Sequence, residues 1–285
     1  MDRNYLDRII TYYKDSEISY RQGWDLKHSM AIHAGYYDSK RKTFRDALRG
    51  LNEVAAEYAC IKGQEFVLDA GCGVGGSAVF LAKKFKCNVK GITLSTDQVI
   101  SAQKNASKNR VVDLVSFEVT DYTDTGFADN TYDVVWAIES VCHSKDKSAF
   151  INEAFRILKP NGRLVVIDYF LQREPEKNID ITDYDFFLDS LACNNLDKPL
   201  SFREKLLLAG FSSVNEKNAS ENFMPNTIRL KILGNLSLLM NFAMKILGVK
   251  RSEARAKGGK TALLTSRFFK NGMLEYYIFS AHKPG

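Results

Sequence analysis

Strand-like and helix-like runs alternate through the middle of the chain, and this alternation predicts an α/β fold built on a doubly wound sheet of mostly parallel strands. Two further observations support it. A glycine-rich bend, Gly71-Cys72-Gly73-Val74-Gly75-Gly76, follows an apolar strand and opens a helix. Lys159-Pro160-Asn161-Gly162 then stops a later helix and turns the chain into another strand, because proline cannot continue a helix and Asn-Gly supplies the positive φ of a tight turn.

Taken in order, Phe66–Asp69 reads as a buried first strand and Ser77–Phe85 as the helix it feeds. Val89–Leu94 is a second strand and Thr96–Asn109 its helix, followed by strands over Val115–Val119 and Tyr132–Ile138, a helix over Ala149–Leu158 and a strand over Arg163–Tyr169. Two segments flank these elements. Residues 1–44 read as an N-terminal helical lid dense in aromatics, with Tyr5, Tyr12, Tyr13, Tyr20, Trp24, Tyr36 and Tyr37. After a core over 45–172, residues 173–265 read as a cap inserted before the last strand, with a strand of its own near 211–216; residues 266–285 hold the final strand, over Leu274–Ala281. Lid and cap would cover the carboxyl edge of the sheet, where ligands of open α/β sheets bind.

Composition narrows the class. With 45% hydrophobic and 26% charged residues and only 5 prolines among 285 residues, the chain is globular, not disordered or fibrous. Its most apolar uncharged run, Ile232–Met244, is too short to span a bilayer, and the first residues lack the pattern of a secretory signal, so a cytoplasmic protein is expected. Five scattered cysteines and four scattered histidines form no ligand spacing, and no metal is expected. The net charge of +6 is unevenly placed. Eight basic residues lie between Lys245 and Lys270 against Glu253 alone, whereas Glu174–Asp189 carries six acids against Lys177. The basic run would suit an anionic headgroup, a diphosphate or acidic lipids, although such runs are commonly solvated faces. Asp180, Asp183 and Asp185 match no metal-binding loop.

The glycine bend fits the dinucleotide fingerprint Gly71-x-Gly73-x-x-Gly76, but two details turn the reading elsewhere. A dinucleotide site places an acid at the end of the second strand, where Thr93-Leu94-Ser95 stands instead. Asp69 precedes the glycines, where a carboxylate would repel a pyrophosphate and attract an ammonium or sulfonium.

At these residues the sequence resembles the class I S-adenosylmethionine-dependent methyltransferases, whose first motif is an acid followed by alternating glycines. The resemblance continues through Gly91–Gln98, Val119-Thr120-Asp121, Trp136–His143 and Leu158–Gly162, covers roughly residues 30–170, and is closest to the sterol C-methyltransferase and tocopherol methyltransferase group. It implies a Rossmann-like sheet of seven strands and S-adenosyl-L-methionine as cofactor, with S-adenosyl-L-homocysteine as product. It also implies that Asp69 and the backbone of Gly71 and Gly73 hold the methionine end, that Thr93, Leu94 and Gln98 stand near the ribose, that Asp121 accepts from the adenine amino group, and that Cys72, Thr120 and Tyr122 are further cofactor-binding residues. Ser95 and Gln98 equally form a capping box for the next helix, and the two roles are compatible. The resemblance puts Glu139 and His143 at the junction of cofactor and acceptor, Glu139 as a catalytic and cofactor-binding candidate and His143 as a candidate for acid or base help to the acceptor, or else a helix-start histidine whose ring packs or caps. His33-Ala34-Gly35-Tyr36 resembles an element before the core in which an aromatic closes over the cofactor, making Tyr36 the candidate, while Tyr12, Tyr13 and Trp24 either wall the acceptor pocket or are simply core.

The expected function is methyl transfer to a small, largely apolar acceptor of sterol, terpenoid, prenyl or prenylated-quinol type, by C- or O-methylation. N-methylation of a phospholipid headgroup or another small molecule is the alternative, and a silent cofactor-binding module is a further one. A nucleic-acid methyltransferase is disfavoured because Ile138-Glu139-Ser140-Val141 replaces the Asn/Asp-Pro-Pro-aromatic motif, and an NAD-dependent oxidoreductase is the least favoured. The apolar, helically spaced stretch over Ile228–Gly248 packs on the sheet, lines a pocket, or makes peripheral membrane contact through 228–260.

Overall fold

The computed structural model describes residues 3–24, 26–176, 178–249 and 251–285, the side chains of residues 3, 4, 17–19, 21, 22, 27 and 254 lying outside that description. Lys177 and Lys250, counted among the charges above, lie outside the described residues. The N-terminal segment forms α1 (Arg3–Gly23) and the short α2 (Leu26–Ser29), and α3 (Phe44–Tyr58) begins after Thr43, whose hydroxyl caps it by accepting from the Asp46 N–H. The expected helical lid is therefore helical only to Ser29. Residues 30–43 run as irregular chain, because their backbone is held from outside: Asn226 bonds both backbone groups of Gly35, and the Tyr36 N–H donates to the Ala47 carbonyl.

In β1 (Phe66–Ala70), Val67, Leu68, Asp69 and Ala70 are all buried, as a strand at the centre of a parallel sheet must be. It feeds α4 (Gly76–Phe85), then β2 (Asn88–Thr93), α5 (Thr96–Asn109), β3 (Val115–Val119) and β4 (Tyr132–Ile138). A 3-10 turn over Val141–His143 leads to α6 (Lys147–Ile157) and β5 (Leu158–Leu171). The remainder is α7 (Asn178–Ser190), α8 (Pro199–Leu208), β6 (Ser212–Asn218), α9 (Ser220–Ile246), α10 (Glu253–Lys270) and β7 (Leu274–His282). The sheet has seven strands in the order β3-β2-β1-β4-β5-β7-β6; β1 to β5 are parallel, and β7 runs antiparallel to both neighbours. Each face of the sheet carries an apolar core, one around Trp136 and Tyr276 and the other around Phe150 and Phe202.

Several boundaries shift by a few residues from the sequence reading, and two of the shifts change the layout. Strand β5 starts at Leu158, paired with Tyr132, so the Pro160-Asn161-Gly162 turn is an irregularity inside the strand; the next pair is Val134 with Arg163, and Asn161 takes φ 62°. Helix α10 continues through the boundary expected at 265/266 and ends at Lys270. The late basic segment is also less free than its composition implies. Lys257 meets Asp189 at 2.7 Å, and Lys260 and Arg267 meet Asp183 at 2.8 and 2.9 Å. The acidic and basic segments thus face each other as α7 against α10, which withdraws these cations from an anionic headgroup and these acids from a metal.

Candidate active site

Strands β1 and β4 are neighbours whose following helices lie on opposite faces of the sheet, and at that topological switch a cavity of about 280 Å3 opens over their carboxyl ends. Its floor is the glycine bend. Gly71 (φ +86°) and Gly73 (φ +51°) adopt the left-handed conformation, and a Cβ on Gly71 would stand 2.4 Å from the Ser140 Cβ. At Gly73 it would stand 2.9 Å from the Ile32 Cδ1, in a cradle between the bend and the lid segment. Gly73→Val is accordingly expected to abolish cofactor binding, measured by calorimetry, while circular dichroism stays native; normal affinity would remove the bend from the site.

Asp69 stands one residue before the end of β1, beneath this bend. It is 3% exposed, its Oδ2 has no hydrogen-bond partner, and burial pushes its carboxyl up to about 7, against the pull of the Ala78 N–H. An orphaned buried carboxylate oxygen beside a cavity is costly unless a donor or a cation completes it. An ammonium-bearing ligand fits that requirement, and the side-chain-free glycine cradle admits its approach.

Next to the bend, the Ser95 hydroxyl accepts from the Gln98 N–H and caps α5, while the Thr93 hydroxyl donates to the Gln98 Oε1 at 2.5 Å. The reciprocal half of the capping box is not formed, since the Ser95 N–H goes to the Thr93 hydroxyl. Thr93, Leu94, Ser95 and Gln98 all line the cavity, as do Cys72, Thr120 and Tyr122. Asp121, expected near the adenine, stands outside the wall: its Oδ1 closes a local turn by accepting from the Thr123 N–H and hydroxyl at 2.8 and 2.7 Å.

Glu139 and His143 both face the cavity at the end of β4. Glu139 is already hydrogen-bonded on both oxygens. Its Oε1 accepts from the Ala34 N–H and the Tyr276 hydroxyl at 2.8 and 2.7 Å, and its Oε2 from the Tyr169 hydroxyl at 2.9 Å. Burial nevertheless pushes its carboxyl up to about 7. These bonds tie the lid segment to the sheet through a carboxylate that also lines the cavity. The His143 Nε2 lies 2.8 Å from the Tyr13 hydroxyl, and its Nδ1 lies 3.4 Å from the Ala192 carbonyl and 3.8 Å from the Cys193 Sγ. Cys142, His143 and Cys193 bring potential ligand atoms within 4.8 Å of one another, a cluster that their distant sequence positions do not reveal.

Tyr36, expected to close over the cofactor, does not reach the cavity. Its hydroxyl accepts from the Lys217 ammonium at 2.9 Å, and the bonds that clamp Gly35 and the Tyr36 N–H direct the chain toward β6. His33 and Ala34 line the cavity in its place, the His33 side chain held by the Ala34 carbonyl and the Asn52 amide. Burial pushes His33 down to about 4, so it is neutral at physiological pH.

The far wall comes from α1, α7 and α10. Tyr12, Tyr13 and Trp24 line the cavity together with Tyr20, another of the lid aromatics, and so do Ser16, Phe187, Ser190, Thr261 and Thr265, which the sequence reading did not single out. A helical spacing of Tyr13, Ser16 and Tyr20 on one side of α1 was the available signal. The threonines of α10 gave none, because a threonine on an apolar helix face reads as neutral without a partner in view.

Among known proteins, residues 68–166 match the family described as "Methyltransferase domain". The 27-O-demethylrifamycin SV methyltransferase of Amycolatopsis mediterranei is 36% identical over 144 residues, covering 50% of this chain and 53% of that one. The chloroplastic tocopherol O-methyltransferase of Arabidopsis thaliana is 28% identical, over 92% of this chain and 78% of that one. Several curated relatives, the rifamycin enzyme among them, are matched over only about half of their length. A cyclopropane synthase of Mycobacterium tuberculosis shares the fold with TM-score 0.81 at 17% identity, over 98% of each chain. From the acid-tipped first strand and its glycine bend, the 3-2-1-4-5-7-6 sheet with its reversed β7, and these likenesses, residues 68–166 are a methyltransferase domain set in a sheet of the class I S-adenosylmethionine-dependent methyltransferase fold.

Proposed function

We propose that the protein transfers a methyl group from S-adenosyl-L-methionine to a small, largely apolar acceptor of sterol, terpenoid, prenyl or prenylated-quinol type, by C- or O-methylation. One observation carries this reading: a single cavity joins the Asp69 and glycine cradle to a chamber walled by Ile9, Ile10, Phe187, Phe223 and Leu230. Apolar walls favour an apolar acceptor by removing its surface from water. Curated relatives include O- and N-methyltransferases, so the acceptor atom is the finer part of the proposal.

Asp69 would hold the cofactor's ammonium, with the backbone of Gly71 and Gly73 close against the methionine chain and Cys72 beside it. Thr93, Leu94 and Gln98 would stand at the ribose, and Thr120 and Tyr122 at the adenine. When bound, the cofactor supplies a methyl carbon activated by the adjoining sulfonium; the methyl–sulfur bond breaks as the bond to the acceptor forms. The chain's part is to align the acceptor in line and to exclude water. An acceptor hydroxyl, or a carbon that becomes cationic on methylation, must also lose a proton, and the His143 imidazole at the chamber's edge, in its neutral form, would accept it. Glu139 would act indirectly by holding the Ala34 backbone over the bend. An acceptor of this type resides in membranes, so the same reading extends to peripheral membrane contact through residues 228–260.

Mass spectrometry of extract incubated with the protein and a deuterated methyl donor tests the proposal. The expected product is an apolar compound heavier by one labelled methyl on carbon or oxygen. Label on nitrogen of a polar compound would replace the reading with the N-methyltransferase one, and no labelled product would overturn it.

A further inference from the structure

Helices α9 and α10 form an antiparallel hairpin that is tightly fixed on its inner side. Gly234 and Gly259 let the two backbones touch, a Cβ on Gly234 falling 2.9 Å from the Gly259 carbonyl oxygen. Beyond that crossing, the Asn241 amide donates to the Ala256 carbonyl at 2.9 Å, and the Arg251 guanidinium donates to the Asn241 side chain. The outer side is bare. Ile228, Ile232, Leu236, Leu239, Phe242 and Ile246 recur every three or four residues, which places them on one helix face, and they are between 56% and 70% exposed. Ten of the nineteen exposed large apolar side chains among the described residues fall within 228–249. Water-soluble monomers seldom leave so continuous an apolar stripe uncovered.

The charge beside the stripe identifies what covers it. No acid occurs between Glu221 and Glu253, while Lys231 and Lys245 are exposed along the flank of the stripe. A second copy of the chain seated on this face would bring these cations toward their counterparts with no local acid to offset them. An anionic bilayer offers both what the stripe needs and what the cations need. Among the described residues no helix is long and apolar enough to cross a membrane, so the hairpin would lie in the surface. The same two helices also wall the cavity, α9 through Phe223 and Leu230 and α10 through Thr261 and Thr265.

We infer that the outer face of the α9–α10 hairpin is a docking surface for anionic phospholipid bilayers, which brings the acceptor chamber to the membrane that dissolves its substrate. The inference rests on the apolar-acceptor reading for its purpose but not for its test. Sedimentation of the full chain with vesicles of phosphatidylcholine containing 30% phosphatidylglycerol is expected to pellet the protein, and vesicles of phosphatidylcholine alone to bind at least tenfold more weakly. L239E/F242E is expected to weaken binding at least tenfold by removing apolar contact. K231E/K245E is expected to weaken it at least tenfold and to flatten its salt dependence, since each basic side chain at an anionic surface contributes about fivefold. Both pairs are solvent-facing, and unchanged calorimetric cofactor affinity would show that the variants are folded. Equal binding by parent and variants, or no binding to either vesicle, would overturn the inference. So would a parent dimer in sedimentation velocity that L239E/F242E dissolves without any vesicle binding. Because no acceptor or turnover enters the measurement, its failure leaves the methyl-transfer reading standing, and failure of the labelled-methyl experiment leaves bilayer docking intact.

Discussion

Asp69→Asn is expected to weaken S-adenosylmethionine binding by roughly a hundredfold at pH 8, because it deletes one partner of a buried charge pair, a loss of about 3 kcal/mol. The pH dependence makes the prediction specific. Burial holds the Asp69 carboxyl of the free protein at about 7, whereas a bound ammonium favours its ionised form. Affinity in the parent should therefore be full above pH 7 and fall as pH drops through that value, approaching tenfold per unit, while the Asn variant stays flat over the same range. Stability without ligand should move the other way. The folded value lies above the ordinary carboxylate value of 3.8, so the folded state binds the proton more tightly than the unfolded chain and loses stability as pH rises from about 4 through 7. Thermal unfolding should show the parent falling relative to Asp69→Asn across that window. A parent affinity independent of pH between 5.5 and 8 would show that the carboxylate does not meet the ligand's charge.

His143→Ala is expected to leave cofactor affinity within about twofold of the parent and to reduce turnover by about 10²–10⁴-fold, the range of a lost general base. Burial alone would push this imidazole down, but Cys142 and Asp168 beside it outweigh burial and hold it above the ordinary value of 6.5. Acting as a base it must be neutral, so kcat should rise with pH through a value above 6.5 and level off. Tyr13→Phe removes the hydroxyl 2.8 Å from the Nε2; it should reduce kcat by a smaller factor and displace that limb of the profile, which loss of packing alone would not do. Undiminished turnover in His143→Ala would take the residue out of the chemistry.

The residues that were readable in advance share a physical character. Strand β1, the bend and α5 are specified by local chemistry: an unbroken apolar run, glycines at positive φ, and a serine cap, each acting within a few residues. Thr96–Asn109, Val115–Val119 and Tyr132–Ile138 accordingly keep in the structure the limits expected of them. Tyr36 was not readable, because its direction depends on Asn226, 190 positions later, which grips Gly35 from α9. Glu139 carried the right location but not its partners, since the tyrosine hydroxyls bonded to it come from β5 and β7. The basic segment misled for the same reason, its partners lying on α7, a separate helix far back in the chain.

From the order of residues alone came the alternating α/β plan, the acid-and-glycine ligand cradle and the family resemblance, because backbone conformation and strand burial answer to neighbours in sequence. The tertiary structure decided which aromatic and polar side chains meet across the cavity, that Tyr36 is turned away, that Cys142, His143 and Cys193 converge, and that the outer face of α9 is left bare. Those facts depend on contacts between segments far apart in the chain, and only packing brings such segments within reach of one another.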